Sequence, residues 1–173
     1  MITKYDKEFN LYDIMQNTTI SALAIHSFIL GYYKIARHKK EKSNFPSLLY
    51  LFYVLPIVYH RKSRDTFKSS NEIYTAIAND KETVLGLQER ANKMSEQTFK
   101  AINLLHSKKI ADYDKNNKTT ILLRGYMSDK INIPSTSGRE NIVRMIQDSA
   151  YKLGHIFAKN SDKNLQLTLN IRF

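Results

Sequence analysis

The stretch Phe45-Pro46-Ser47-Leu48-Leu49-Tyr50-Leu51-Phe52-Tyr53-Val54-Leu55-Pro56-Ile57-Val58-Tyr59 carries no charge, and its reading decides the fold. A helix that crosses a bilayer needs about 20 consecutive apolar residues. This run is shorter, is interrupted by Pro56, and is flanked by dense positive charge, so it reads as a central core helix. Pro46 suits a first helical turn, where its missing N–H costs nothing. Pro56 removes a backbone hydrogen bond and predicts a kink near Phe52 or a fresh turn. Leu51, Leu55 and Val58 are expected in the core.

Upstream, residues 18–37 read as a helix capped by Asn17 or Thr18. Ile20, Leu23, Ala24, Ser27, Leu30 and Gly31 line one face, while Ile25, Phe28, Ile29 and Tyr32 line the next. A helix apolar over so much of its circumference is buried on most sides. Downstream, Ser69 to Glu72 has capping-box spacing and predicts a short helix through Ile73, Tyr74, Ile77 and Ala78. A longer helix is predicted from Thr83 to His106, with Leu87, Ala91, Met94, Thr98, Ala101 and Leu105 at helical spacing. Residues 109–113 and 119–124, separated by Asp114-Lys115-Asn116-Asn117-Lys118, read as a hairpin. Ser137-Gly138-Arg139-Glu140 is a second capping box, opening a helix with Ile142, Ile146, Ala150, Leu153 and Phe157 on one side. Leu165, Leu167, Leu169, Ile171 and Phe173 alternate with polar residues, the period-two pattern of a half-buried strand.

Two helices followed by a hairpin resemble the helix–helix–wing order of winged-helix domains, and the terminal strand could complete the sheet. The expected fold class is α+β, mainly helical: one compact domain with a winged-helix-like helix–helix–hairpin unit and a C-terminal strand. A chain of 173 residues suits a single domain. Its expected parts are an N-terminal segment (1–16), a helical part with a basic loop (17–68) and the winged-helix-like part (69–173).

The net charge of +11 is unevenly spread. Most of it comes from residues 34–68, where Lys34, Arg37, Lys39, Lys40, Lys42, Arg61, Lys62, Arg64 and Lys68 face only Glu41 and Asp65. A field so concentrated attracts polyanions. Arg37, Lys39, Lys40, Lys42, Arg61, Lys62, Arg64 and Lys68 are therefore the candidate contacts for nucleic acid or an acidic partner. A solvated face that keeps the protein soluble is the plainer alternative. Tyr32, Tyr33, Tyr50, Tyr53 and Tyr59 surround the basic loop, where exposed rings could stack on bases, although Tyr50 and Tyr53 sit in the most apolar stretch and suit the core.

Motifs for chemistry are missing from the sequence. With no cysteine there is neither a disulfide nor a thiolate ligand or nucleophile. His26, His38, His60, His106 and His155 include no pair at the i, i+4 spacing of helix-borne metal ligands. His26, inside an apolar helix, reads as a satisfied core histidine; His38 and His60 border the basic segment and read as surface. Gly-rich phosphate loops and GxSxG are absent, and the carboxylates are scattered. No cofactor and no metal is expected. The polar N-terminal residues do not read as a signal peptide, so a cytoplasmic location is expected and the Asn-x-Thr matches at Asn17 and Asn117 are fortuitous.

Several blocks taken together carry a family resemblance. Asn17-Thr18-Thr19-Ile20-Ser21-Ala22-Leu23 leads to Phe28, Gly31 and Tyr32. Phe45-Pro46-Ser47-Leu48-Leu49 is followed by Val54-Leu55-Pro56-Ile57-Val58-Tyr59-His60, the distinctive block, and by Arg64-Asp65-Thr66-Phe67. Leu87-Gln88-Glu89-Arg90-Ala91 precedes Met94, Thr98 and Ala101. In order and spacing the chain, from about Asn17 to Phe173, resembles the small middle component of three-component ABC-ATPase systems, the group that includes Lamassu-type defence. The resemblance implies two partners, an SMC-like ABC ATPase that senses foreign DNA and an effector, commonly a nuclease. It implies no catalytic residues in this chain.

The expected function is therefore a non-enzymatic scaffold in an antiphage or antiplasmid complex, with DNA contact secondary and no membrane partner. A stand-alone winged-helix DNA-binding regulator is the rival. Sequence readers of that kind place an exposed helix in the major groove, and the predicted 83–106 helix carries Glu89 and Glu96 among its bases. Peripheral membrane binding through the basic loop is a third possibility.

Overall fold

The computed structural model describes residues 16–40, 43–133 and 139–172, with side chains from 142 onward in the last span. Helix α1 (Thr18–Ala36) is the axis on which the other elements pack. Asn17 caps it, its Oδ1 accepting from the N–H groups of Thr19 and Ile20 at 2.9 and 3.1 Å. Ile25, Phe28, Ile29 and Leu30 are all buried, as the broad apolar circumference predicts.

The charge-free run is not one kinked helix. Ser47 caps a 3₁₀ segment (Leu48–Tyr53), and the short helix α2 (Val54–Val58) follows it directly. Pro56 is the third residue of α2, among the first four positions whose N–H groups have no partner within the helix, so its missing donor costs nothing. Pro46 was expected in a first helical turn and instead lies ahead of the helices. Its carbonyl accepts from Thr120 N–H at 3.0 Å, and Leu48 N–H donates to Lys118 O at 3.3 Å. Leu51, Leu55 and Val58 are fully buried, as expected.

His60 caps α3 (Arg61–Ser69), its Nδ1 accepting from Ser63 N–H. Ser69 does not open the next helix, contrary to the capping-box spacing. It closes α3, its hydroxyl donating back to the Asp65 and Thr66 carbonyls. Glu72 itself holds the N-cap position of α4 (Ile73–Asn79), and its carboxylate pairs with Lys159 at 3.0 Å. The predicted 83–106 helix is also divided. Asp80 caps a 3₁₀ turn (Lys81–Thr83), Gly86 adopts a left-handed φ of 64°, and only then do α5 (Leu87–Lys93) and α6 (Ser95–Ser107) form, with Met94 between them. The divided helix still presents mixed charge outward, through the Glu89–Lys93 and Glu96–Lys100 pairs.

The hairpin forms where predicted. Strand β1 (Ala111–Asp114) pairs antiparallel with β2 (Thr119–Leu122), Ala111 facing Leu122 and Asp114 facing Thr119. Asp114 Oδ1 accepts from the N–H groups of Asn116 and Asn117, and Lys118 takes the left-handed position at φ 54°. Ser47 bridges to Thr119, so the Pro46–Leu48 segment occupies the outer edge of β2.

The long helix α7 (Arg139–Lys159) packs across α1 and closes the core. The residues of its proposed capping box, Ser137 and Gly138, lie outside the described residues. The predicted C-terminal strand is overturned: Asp162–Leu169 is a helix, α8. Ser161 caps it, and Leu165 and Leu169, one turn apart, are buried while Leu167 is 71% exposed, which a half-buried strand would not allow. Asn170 at φ 52° ends α8, with Ile171 N–H donating to Gln166 O in a Schellman-type stop. A third strand beside β2 is also blocked, because that edge is already held by Pro46–Leu48. Among the described residues the sheet has two strands. One core runs from Ile20 to Ile171.

Candidate nucleic-acid and partner surfaces

Folding separates the seven candidate cations that lie among the described residues. Arg37, Lys39 and Lys40 are exposed just beyond the C-terminal end of α1. Arg37 Cζ lies 5.7 Å from the Tyr33 ring centroid and its Nε donates to His38 Nε2 at 3.1 Å. Lys39 Nζ reaches the Ala158 carbonyl at the end of α7, 3.2 Å away. Lys42 lies outside the described residues. The other group sits on α3, where Arg61 and Lys68 are exposed. Lys62 is committed to Glu82 at 2.7 Å and Asp80 at 3.5 Å. Those carboxylates, Glu82 first, raise its pKa. Arg64 does not belong to a surface patch. It is only 7% exposed, and its Nη1 donates to the Val58 carbonyl at 3.2 Å. Burial lowers its pKa.

The Arg37 group borders an open cleft of about 800 Å³ between the end of α1 and the hairpin. Arg37, His38, Lys39 and Lys40 form one side, and Asp114, Asn117, Thr119 and Ile121 of the hairpin form the other. Ser43, Asn44 and Phe45 complete it. No α3 residue lines it, so the second basic group is not part of this site. The Phe45 ring is stacked on Tyr33, centroids 5.0 Å apart with 15° between planes. Asp114 is ionised, since hydrogen bonds from the Asn117 side chain and backbone hold it below the usual carboxylate range. Lys115 and Lys118 are exposed in the hairpin turn beside it.

Sequence reading missed Phe45, Asn44, Asn117 and Asp114. Nothing local could have found them, because residues some seventy positions apart are joined only when Pro46–Leu48 pairs with β2. Of the tyrosines around the basic loop, Tyr32, Tyr50, Tyr53 and Tyr59 are buried and only Tyr33 is half-exposed. Tyr50 donates to Asp162, Tyr53 donates to the Arg172 carbonyl at 2.7 Å, and Tyr59 shares a 2.8 Å bond with Ser21. Burial pushes the Tyr32 and Tyr59 hydroxyls up to about 12. His26 is fully buried with Nε2 3.1 Å from Tyr126 O, and burial lowers its pKa, the behaviour of a core histidine. None of these perturbed groups lines the cleft.

A second surface is apolar. Leu49, Phe52 and Phe99 line a depression of about 270 Å³ between the 3₁₀ segment and α6. The Phe52 and Phe99 rings meet edge to face at 4.9 Å, and Leu49 and Phe99 remain 47% and 52% exposed. Large apolar side chains left open side by side mark contact surfaces more often than isolated ones do.

Among the described residues no group of three His, Asp or Glu side chains could hold a metal ion, and no helix is long and apolar enough to cross a membrane. Fold and surfaces together define a basic, mainly helical protein with a basic cleft and an open apolar depression on its surface. The family model for the ABC-three component (ABC-3C) system Middle Component 3 matches residues 6–173, and the chain belongs to that family. Comparison with curated proteins and with solved structures gave no match. The resemblance drawn from the central Leu55–His60 block is thereby met at the level of the family. A middle component of a three-component system has partner components.

Proposed function

We propose that this chain is a non-enzymatic accessory subunit that links an SMC-like ABC ATPase to an effector nuclease in a cytoplasmic defence complex of Lamassu type. Membership of the middle-component family over residues 6–173 is the observation that carries this reading. Two physical features support it. The open Leu49–Phe52–Phe99 face offers apolar area that a protein partner can bury. The exposed cations Arg37, Lys39, Lys40, Arg61 and Lys68, together with Lys42, supply sequence-independent attraction for DNA phosphates or an acidic partner face.

Co-expression with a candidate SMC-like ABC ATPase tests the proposal. A complex that survives size-exclusion chromatography is expected, with an interface of about 1,200–2,000 Å² or more. Elution of the two proteins apart at micromolar concentration, with and without nucleotide, sinks it.

A further inference from the structure

We propose that the cleft between the end of α1 and the hairpin binds an unpaired nucleotide of a single-stranded nucleic acid, its base against Phe45 and its phosphates on Arg37 and Lys40. This deepens the nucleic-acid part of the reading above and is independent of the scaffold role.

The cleft joins two kinds of group that a phosphate site alone does not need. Its α1 side carries Arg37, Lys39 and Lys40, exposed to solvent. Phe45 also lines the cleft, its ring stacked on Tyr33, and the Arg37 guanidinium carbon lies 5.7 Å from the Tyr33 ring centroid. The Phe45 ring is therefore held on one face by an aromatic neighbour whose own orientation is braced by Arg37. A ring fixed in this way meets a flat partner without losing much rotamer freedom. Duplex DNA offers phosphates to the cations but no base face to Phe45, because its bases are stacked on one another. A single strand offers both, and base–aromatic stacking beside a basic groove is how single strands are bound without sequence preference.

The hairpin side orients the strand. Among the described residues Asp114 is the one carboxylate lining the cleft, and it lies opposite the cations. It repels phosphate, so the backbone runs along the α1 side and the base edge points to the hairpin. Asp114 Oδ2 accepts from Asn117 Nδ2 at 2.7 Å, which fixes the Asn117 amide at that edge, where it can hydrogen-bond a base. Lys115 and Lys118 flank the turn and extend the positive field beyond the cleft.

The test uses the isolated full chain and a fluorescent single strand of about 12 nucleotides, with the duplex of the same sequence as comparison. Tighter binding of the single strand is expected at equal salt. Phe45→Ala should weaken single-strand binding by about five- to a hundredfold while leaving the log–log salt slope unchanged. Arg37→Ala and Lys40→Ala should each lower that slope by about 0.7. Phe45→Leu keeps the apolar contact with Tyr33 and removes only the stacking ring, so it decides the matter if Phe45→Ala fails to fold. A 2-aminopurine in the strand should be quenched by the native protein and not by Phe45→Leu. Equal affinity for duplex and single strand, or single-strand binding untouched by Phe45→Leu, overturns the proposal; so does the absence of binding to either. Those results leave the scaffold reading standing, since it is tested by co-purification.

Discussion

Gly31 of α1 and Gly154 of α7 meet backbone to backbone. A Cβ on Gly31 would fall 2.1 Å from the Tyr151 carbonyl oxygen, and one on Gly154 would fall 2.2 Å from that of Phe28. Neither obstacle is a side chain that could rotate away, so the two helices approach as closely as they do only because both positions lack a side chain. Phe28 and Phe157 close the packing beside this crossing, ring centroids 5.3 Å apart and edge to face.

Gly31→Ala or Gly154→Ala should therefore force α1 and α7 apart. Overpacking of this kind costs about 1–3 kcal/mol and sometimes more, which for a chain of this size lowers Tm by several degrees, roughly 2–4 °C per kcal/mol. Thermal melting followed by circular dichroism is the measurement. Melting unchanged by both substitutions would mean that the helices do not cross there.

Arg64 and Lys40 should respond oppositely to substitution although both belong to the basic window. Arg64 is buried against the Val58 carbonyl, and losing that charged donor should cost about 1.5–3 kcal/mol. Arg64→Ala is expected to lower Tm and leave the salt slope of nucleic-acid binding alone. Lys40→Glu is expected to leave Tm alone and weaken binding to all sequences alike. If instead Arg64→Ala weakens binding with no loss of Tm, the guanidinium reaches the ligand and its buried position is wrong.

Acid should destabilise the fold through His26. Burial lowers its pKa, so the native ring is neutral, while the unfolded chain takes up a proton near the ordinary value of about 6.5. The unfolded state then binds more protons below that pH. The histidine's contribution is complete above about pH 6.5 and is lost as the pH falls from there through the lower folded value. His155 acts in the same direction, lowered first by burial and then by Lys152 and Lys159. Tm should fall between about pH 7 and pH 5, and His26→Gln, which keeps a donor for the Tyr126 carbonyl, should shrink that fall. A His26→Gln protein with the same pH dependence as the native chain assigns the effect to other groups.

Patterns with a local cause were legible. The buried length of α1 follows from apolar residues on every face, and the hairpin follows from Asp114 to Lys118. Where local signals tied, the reading erred. Leu165, Leu167, Leu169 and Ile171 satisfy a strand by alternation, and Leu165 and Leu169 satisfy a helix by their four-residue spacing. Ser161 and Asn170, able to cap and to stop a helix, break the tie, and the edge of β2 was already taken. Ser69 and Glu72 have the spacing of a capping box, but the helix ahead of them runs on to Ser69 and uses its hydroxyl.

By itself the sequence determined that the chain is mainly helical, that most of 50–59 is interior, that charge concentrates between 34 and 68, and that the family blocks stand in order. These properties live in composition, in short periodicities and in contiguous runs, each of which acts within a turn or two of chain. Only the tertiary structure decided which cations are free. Arg64 was drawn inward by the Val58 carbonyl and Lys62 was taken by Asp80 and Glu82, while Arg37 and Lys40 were left at a cleft whose far wall comes from the hairpin. That choice depends on pairing Pro46–Leu48 with β2, a contact across about seventy residues, and no local preference of the chain encodes it.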